Sequence, residues 1–143
     1  MTPDAVFSIA NPVALIGWIL LIALPRRSWV TEIATAWAIP GILALAYVVV
    51  IATHIIGSPG GFSSLPDVAA LFANPWLLLG GWIHYLAFDL LVGNWEARDA
   101  RVRGVPWLAL APCLVLTFLF GPAGWLLYLA ARRVAGQPQL VTV

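Results

Sequence analysis

The sequence predicts an all-α integral membrane bundle of four transmembrane helices. Two observations carry that expectation: a composition too apolar for a soluble domain, and charges confined to short stretches between long uncharged windows. Of 143 residues, 62% are hydrophobic and 9% charged, against roughly 25% charged in an ordinary soluble domain. No charge falls between Asp4 and Arg26, between Glu32 and Asp67, or between Arg103 and Arg132, and the window from Asp67 to Glu96 holds only Asp89. With about 20 apolar residues needed per crossing, the four windows give four spans in one domain covering residues 1–143.

The first helix is expected from Ala5 to Leu24. No basic residue precedes it, and its apolar run is too long for a signal-peptide core, so it is expected to stay in the mature protein. The second runs from Glu32 to about Ile56, where Gly57-Ser58-Pro59-Gly60-Gly61 gathers helix breakers. A short helix capped by Asp67 is expected to lie on the membrane surface. The third runs from Pro75 to Trp95 with Asn74 as its cap, and the fourth from Pro106 to Arg133, both prolines standing where a missing N–H costs nothing. Pro12, Pro40, Pro112 and Pro122 predict kinks, sharpest at Gly121-Pro122-Ala123-Gly124 in the region of the third and fourth helices. No internal repeat is visible.

The arginines report topology. Arg26 and Arg27 fall in the first loop and Arg98, Arg101 and Arg103 in the third, against Arg132 and Arg133 after the fourth helix. The positive-inside rule then places the first and third loops in the cytoplasm and both termini outside. A net charge of +1 gives no indication of nucleic-acid binding. There is no lysine, which excludes a Schiff-base pigment and a phosphate-loop lysine. The single cysteine, Cys113, excludes an internal disulfide and a cysteine-ligated cluster, and reads as packing. Of eight tryptophans, Trp29, Trp76, Trp95 and Trp107 suit membrane interfaces, while Trp18, Trp37, Trp82 and Trp125 suit packing or an apolar pocket.

Ionisable side chains within a span cost about 2.5 to 3.5 kcal/mol at the bilayer centre and persist mainly where they face a cavity or a partner. His84 and Asp89 are therefore the candidate catalytic residues. At 100° per residue, Trp82, Tyr85, Asp89, Gly93 and Glu96 share one stripe, whereas His84 lies about 140° from Asp89. Trp82, Tyr85, Tyr47 and Thr117 are candidate substrate-binding residues, Tyr47 and Thr117 because opposed helices bring them to the depth of Asp89. The structural alternative makes Asp89 a polar pin bonded to one of them. His54, Glu96 and Asp99 are secondary candidates: His54 reads equally as an interfacial imidazole, and Glu96 to Arg103 as a solvated mixed-charge loop. His54, His84 and Asp89 suit zinc or iron chemically, but no tight spacing supports a metal site, and neither a metal nor a cofactor is predicted.

Leu24-Pro25-Arg26, Leu71-Phe72, Trp82-Ile83-His84, Asp89-Leu90, Asp99 and Pro122-x-Gly124 together resemble the abscisic-acid-deficient-4-like membrane proteins, relatives of plant neoxanthin synthase. The similarity runs from the first loop through the fourth helix, and W-I-H-x4-D is its most specific element. Plant members turn violaxanthin into neoxanthin, an isomerisation that protonates an epoxide oxygen and removes a proton from carbon. The resemblance implies that His84 and Asp89 are the acid–base pair. The chain is short and lacks a plastid-targeting region, so it is expected to be bacterial and to sit in the inner (plasma) membrane, acting on a carotenoid or related isoprenoid.

The leading expectation is thus an isomerase or other modifying enzyme for such a ligand. The runner-up is a non-catalytic pigment- or lipid-binding protein or assembly partner, and a small proton-coupled transporter is the third class. The expected partners are the lipid bilayer and one apolar ligand, with no nucleic acid; a homo-oligomer remains open.

Overall fold

A computed structural model describes residues 1–135. Among them the chain forms helices and no strand: α1 (Pro3–Ala23), α2 (Val30–His54), α3 (Leu65–Phe72), α4 (Pro75–Arg103), α5 (Trp107–Phe120) and α6 (Pro122–Ala135). Three of them, α1, α2 and α4, are long and apolar enough to cross a membrane, which fits a membrane protein.

Local chemistry sets the helix starts. Thr2 Oγ1 accepts the Ala5 N–H at 3.3 Å and Pro3 opens α1; Asn74 Oδ1 accepts the Trp76 N–H at 3.0 Å and Pro75 opens α4. The short helix α3 is capped by Ser64, whose hydroxyl accepts the Asp67 N–H at 3.2 Å, and not by Asp67, which lies in its first turn. The first nine residues of α2, Val30–Ala38, are π-helical, and the Thr35 hydroxyl sits 2.9 Å from both the Val30 carbonyl and Asn94 Oδ1 on α4.

The stretch from Glu96 to Arg103, expected as a solvated loop, instead continues α4 by two turns, and Gly104 at φ +67° ends it. The reason is tertiary: α4 packs against every other helix, so its last turns are covered and Glu96 is fully buried. Gly93 lets this happen on the α1 side, since a Cβ there would stand 2.6 Å from the Trp18 ring. Trp18, Leu21, Leu90, Ala97, Leu114, Cys113 and Tyr128 form one buried cluster, which bears out Cys113 as packing. Ala10, Ala14, Leu43, Leu79, Ile83 and Leu86 form a second.

The expected fourth span is not a single helix. At Gly121, with φ +42° and ψ −100°, the chain reverses and α6 returns along α5. Gly124 packs so tightly on the backbone of Thr117 that no Cβ would fit. Beside α4, the hairpin rises to Asp89, which touches Gly121, and descends again to Asp99, which bonds Tyr128 and Arg132 of α6. Each arm has 14 residues, about 21 Å of helix, too short for a hydrocarbon core about 30 Å thick. Three helices of spanning length and a hairpin of two shorter helices thus stand where four single helices of spanning length were expected.

The reversal gathers the arginines. Arg101 bonds Glu32 at 3.2 Å, Arg103 and Arg132 both bond Asp99, and the Trp107 indole donates to the Ile22 carbonyl at 3.0 Å. The first loop, the end of α4 and the end of α6 therefore share one end of the bundle, opposite Pro3, His54 and α3. Among the described residues α1 starts and α6 finishes at opposite ends of the bundle; the C-terminal end of the topology expectation, residues 136–143, lies outside the described residues.

Candidate active site

Because the hairpin stops at Gly121, α1 and α4 have no hairpin partner on the side of the bundle beyond Tyr85. A groove results. Asn11, Pro12, Ala14, Leu15, Trp82, Tyr85, Leu86, Phe118 and Leu119 line a cavity of about 440 Å³, and a second of about 270 Å³ continues past Trp82 towards Asp4 and Pro75. Both volumes are near the lower end of small-molecule sites, and the lining, mostly apolar with a few polar groups, is typical of them.

The stripe read from helical periodicity faces this groove and the hairpin. Trp82 donates its indole N–H to Asn11 Oδ1 at 2.8 Å and packs on Tyr85, ring centroids 5.3 Å apart. Tyr85 donates its hydroxyl to the Phe118 carbonyl at 3.3 Å, fixing the tip of α5 as the floor of the groove. One turn further along α4, Asp89 meets Gly121 and interacts with the Tyr85 hydroxyl, while its Oδ2 is buried with no hydrogen-bond partner of ordinary length. A buried acceptor left unpaired costs about 1–3 kcal/mol, so such an atom calls for explanation, and a ligand or water partner is one.

Glu96 follows two turns below on the same stripe. Its Oε1 accepts the Thr117 hydroxyl at 2.8 Å, and its Oε2 is likewise buried and unpartnered. Asp99 is engaged throughout: Tyr128 donates to it at 2.7 Å, Arg103 at 3.0 Å and Arg132 at 3.3 Å. Trp95 buttresses this anchor, with the Arg132 guanidinium 5.7 Å from its ring centre.

His84 is not brought to Asp89. It lies exposed on another face of α4, stacked on Phe88 at 4.5 Å and beside the Tyr47 ring at 5.5 Å. Tyr47 thus meets His84 and not Asp89, and Thr117 meets Glu96 and not Asp89. His54 stacks on Trp76 at 4.4 Å, its Nδ1 2.7 Å from the Thr53 hydroxyl, on a separate apolar cavity of about 410 Å³. Among the described residues no three His, Cys, Asp or Glu side chains group as metal ligands.

Asn11 and Phe118 are candidate site residues that sequence reasoning missed, and Gly121 reads in the sequence only as part of a bend. Asn11, an amide within the first apolar window, was the available signal. The other two acquire a role only through the reversal.

A family model described as ABA DEFICIENT 4-like matches residues 5–128, from the first turn of α1 to Tyr128 and across every lining residue of the larger cavity and the Asp89 seat. No curated protein and no solved structure matches the chain.

Proposed function

The chain belongs to the ABA DEFICIENT 4-like family, and from that premise we propose that it modifies a carotenoid or related isoprenoid by acid–base chemistry, with Asp89 as the reacting carboxyl. The observation that carries this reading is the Asp89 carboxyl, its Oδ2 buried without a hydrogen bond of ordinary length, one turn along α4 from Tyr85, which lines the apolar groove. The polyene or isoprenoid chain lies along α1 and α4, and its oxygenated end group reaches past Tyr85 to Asp89. There the carboxyl hands its proton to a ligand oxygen as a C–O bond opens. The carboxylate so formed then takes a proton from carbon, so that the reaction is an isomerisation with no net redox change. Tyr85 and Trp82 orient the end group, the first tied to the Phe118 carbonyl and the second to Asn11.

His84 has no part in this scheme, because it packs on Phe88 and Tyr47 on another face of the helix. The arginine end faces the cytoplasm by the positive-inside rule, and the groove opens in the opposite half of a plasma membrane of bacterial type. A binding role without turnover is the second reading, favoured by the predominance of apolar side chains in the groove.

The test is to extract the pigments and lipids that stay with gently purified protein and to incubate the protein with them. A bound isoprenoid that is chemically altered on incubation supports the enzyme; one retained unaltered supports the binder. A protein that retains none and converts none contradicts both.

A further inference from the structure

The arginine end carries more positive charge than its own carboxylates neutralise. Arg101 is paired with Glu32, and Arg103 and Arg132 share Asp99, whereas Arg26, Arg27, Arg98 and Arg133 have no ion-pair partner among the described residues. Two of these four stand together on a cavity of about 330 Å³ between the end of α1 and the start of α5, its other walls being Ala23, Leu24, Pro25 and Trp107. The cavity is open to the surface, with the exposed Arg26 and Arg27 beside the apolar Leu24, Pro25 and Trp107. Its shape is held by the Trp107 indole, bonded to the Ile22 carbonyl at 3.0 Å, and by Pro25, which is buried in the short connection to α2.

An unpaired guanidinium binds a phosphate oxygen pair through two parallel N–H donors, and basic pockets at the ends of membrane spans collect anionic headgroups. A free phosphate ion would use the arginines and leave the leucine, proline and indole walls uncovered. A lipid covers both, since its glycerol and first methylenes follow its phosphate. We propose that this cavity binds the phosphodiester headgroup of an anionic membrane lipid, with Arg26 and Arg27 on the phosphate and Leu24, Pro25 and Trp107 against the glycerol and upper chain. The site lies at the opposite end of the bundle from the groove and does not depend on the reaction proposed there.

The experiment equilibrates purified full-length protein in mixed micelles of phosphatidylcholine and phosphatidylglycerol and weighs the retained lipid by mass spectrometry. Wild type is expected to enrich phosphatidylglycerol, Arg26→Gln/Arg27→Gln to lose that enrichment by on the order of tenfold, and Arg98→Gln/Arg133→Gln to keep it. Equal loss in both double variants would mean a diffuse surface potential and would overturn the site. So would a wild type without enrichment, or displacement of the lipid by millimolar inorganic phosphate. Should the glutamine variant fail to accumulate, Arg26→Lys/Arg27→Lys keeps the charge and removes the fork; lipid retention equal to wild type then overturns the bidentate assignment, and reduced retention upholds it.

Discussion

A side chain added at Gly121 would stand 3.0 Å from both carboxylate oxygens of Asp89, so the turn between α5 and α6 rests directly on the acid of α4. The reversal of the chain and the seat of Asp89 are therefore one piece of construction. The backbone at 121 adopts φ +42°, a region that glycine enters without steric penalty, and the turn it makes ends the hairpin level with Asp89.

Gly121→Ala should consequently be destabilising twice over, through backbone strain and through the clash with Asp89. A loss of about 1–3 kcal/mol is expected from the strained conformation alone, read as a lowered melting temperature in detergent. Asp89→Ala in the same background should recover part of the loss by opening space. A Gly121→Ala protein that melts with wild type would contradict the turn.

Thr117 and Glu96 hold the hairpin to α4 through one buried hydrogen bond of 2.8 Å. Residues in direct contact couple by about 0.5–3 kcal/mol in a double-mutant cycle. Thr117→Val and Glu96→Ala should accordingly cost much less together than the sum of their separate effects. Strict additivity would show that the two side chains do not meet in the folded protein.

Single thiols in a Cys113→Ala background test the hairpin directly. Ala135→Cys is expected to share the labelling behaviour of Ser28→Cys, and Ser63→Cys to behave oppositely towards an impermeant reagent in intact cells. If position 135 labels with position 63, the fourth apolar segment crosses the membrane and the hairpin does not hold.

His84 and Asp89 touch different neighbours on different faces of α4. His84→Gln should leave ligand conversion near wild type, and its small effect should add to that of Asp89→Asn. Strong non-additivity in the activation free energies would instead mean that both serve one transition state and would return His84 to the site.

Much of this was legible along α4, because the phase of a single helix is a local property: Trp82, Tyr85, Asp89 and Glu96 share a stripe by periodicity alone, and His84 leaves it by the same arithmetic. The break at Gly121-Pro122-Ala123-Gly124 was legible as a bend. Its extent was not, since reversal is decided by contacts with Asp89 and Thr117 that belong to the folded state. Glu96 reads as part of a solvated charge run because its partner, Thr117, stands across a loop, on the next helix. The same reversal moves Arg132 and Arg133, so a five-to-two division along the sequence becomes seven arginines towards one end of the bundle.

In the reaction proposed above, Asp89 moves the proton at the end of the groove. Asp89→Asn keeps the size of the side chain and its capacity for hydrogen bonds while removing the ionisable group, so the variant should accumulate and melt like wild type. The deciding measurement is chromatographic: purified wild type and Asp89→Asn are incubated with the isoprenoid that copurifies with the protein, and substrate and product are quantified over time. Conversion by wild type with at least about a hundredfold loss in the variant is the predicted result. Undiminished conversion by a well-folded Asp89→Asn protein would contradict the claim and remove Asp89 from the mechanism.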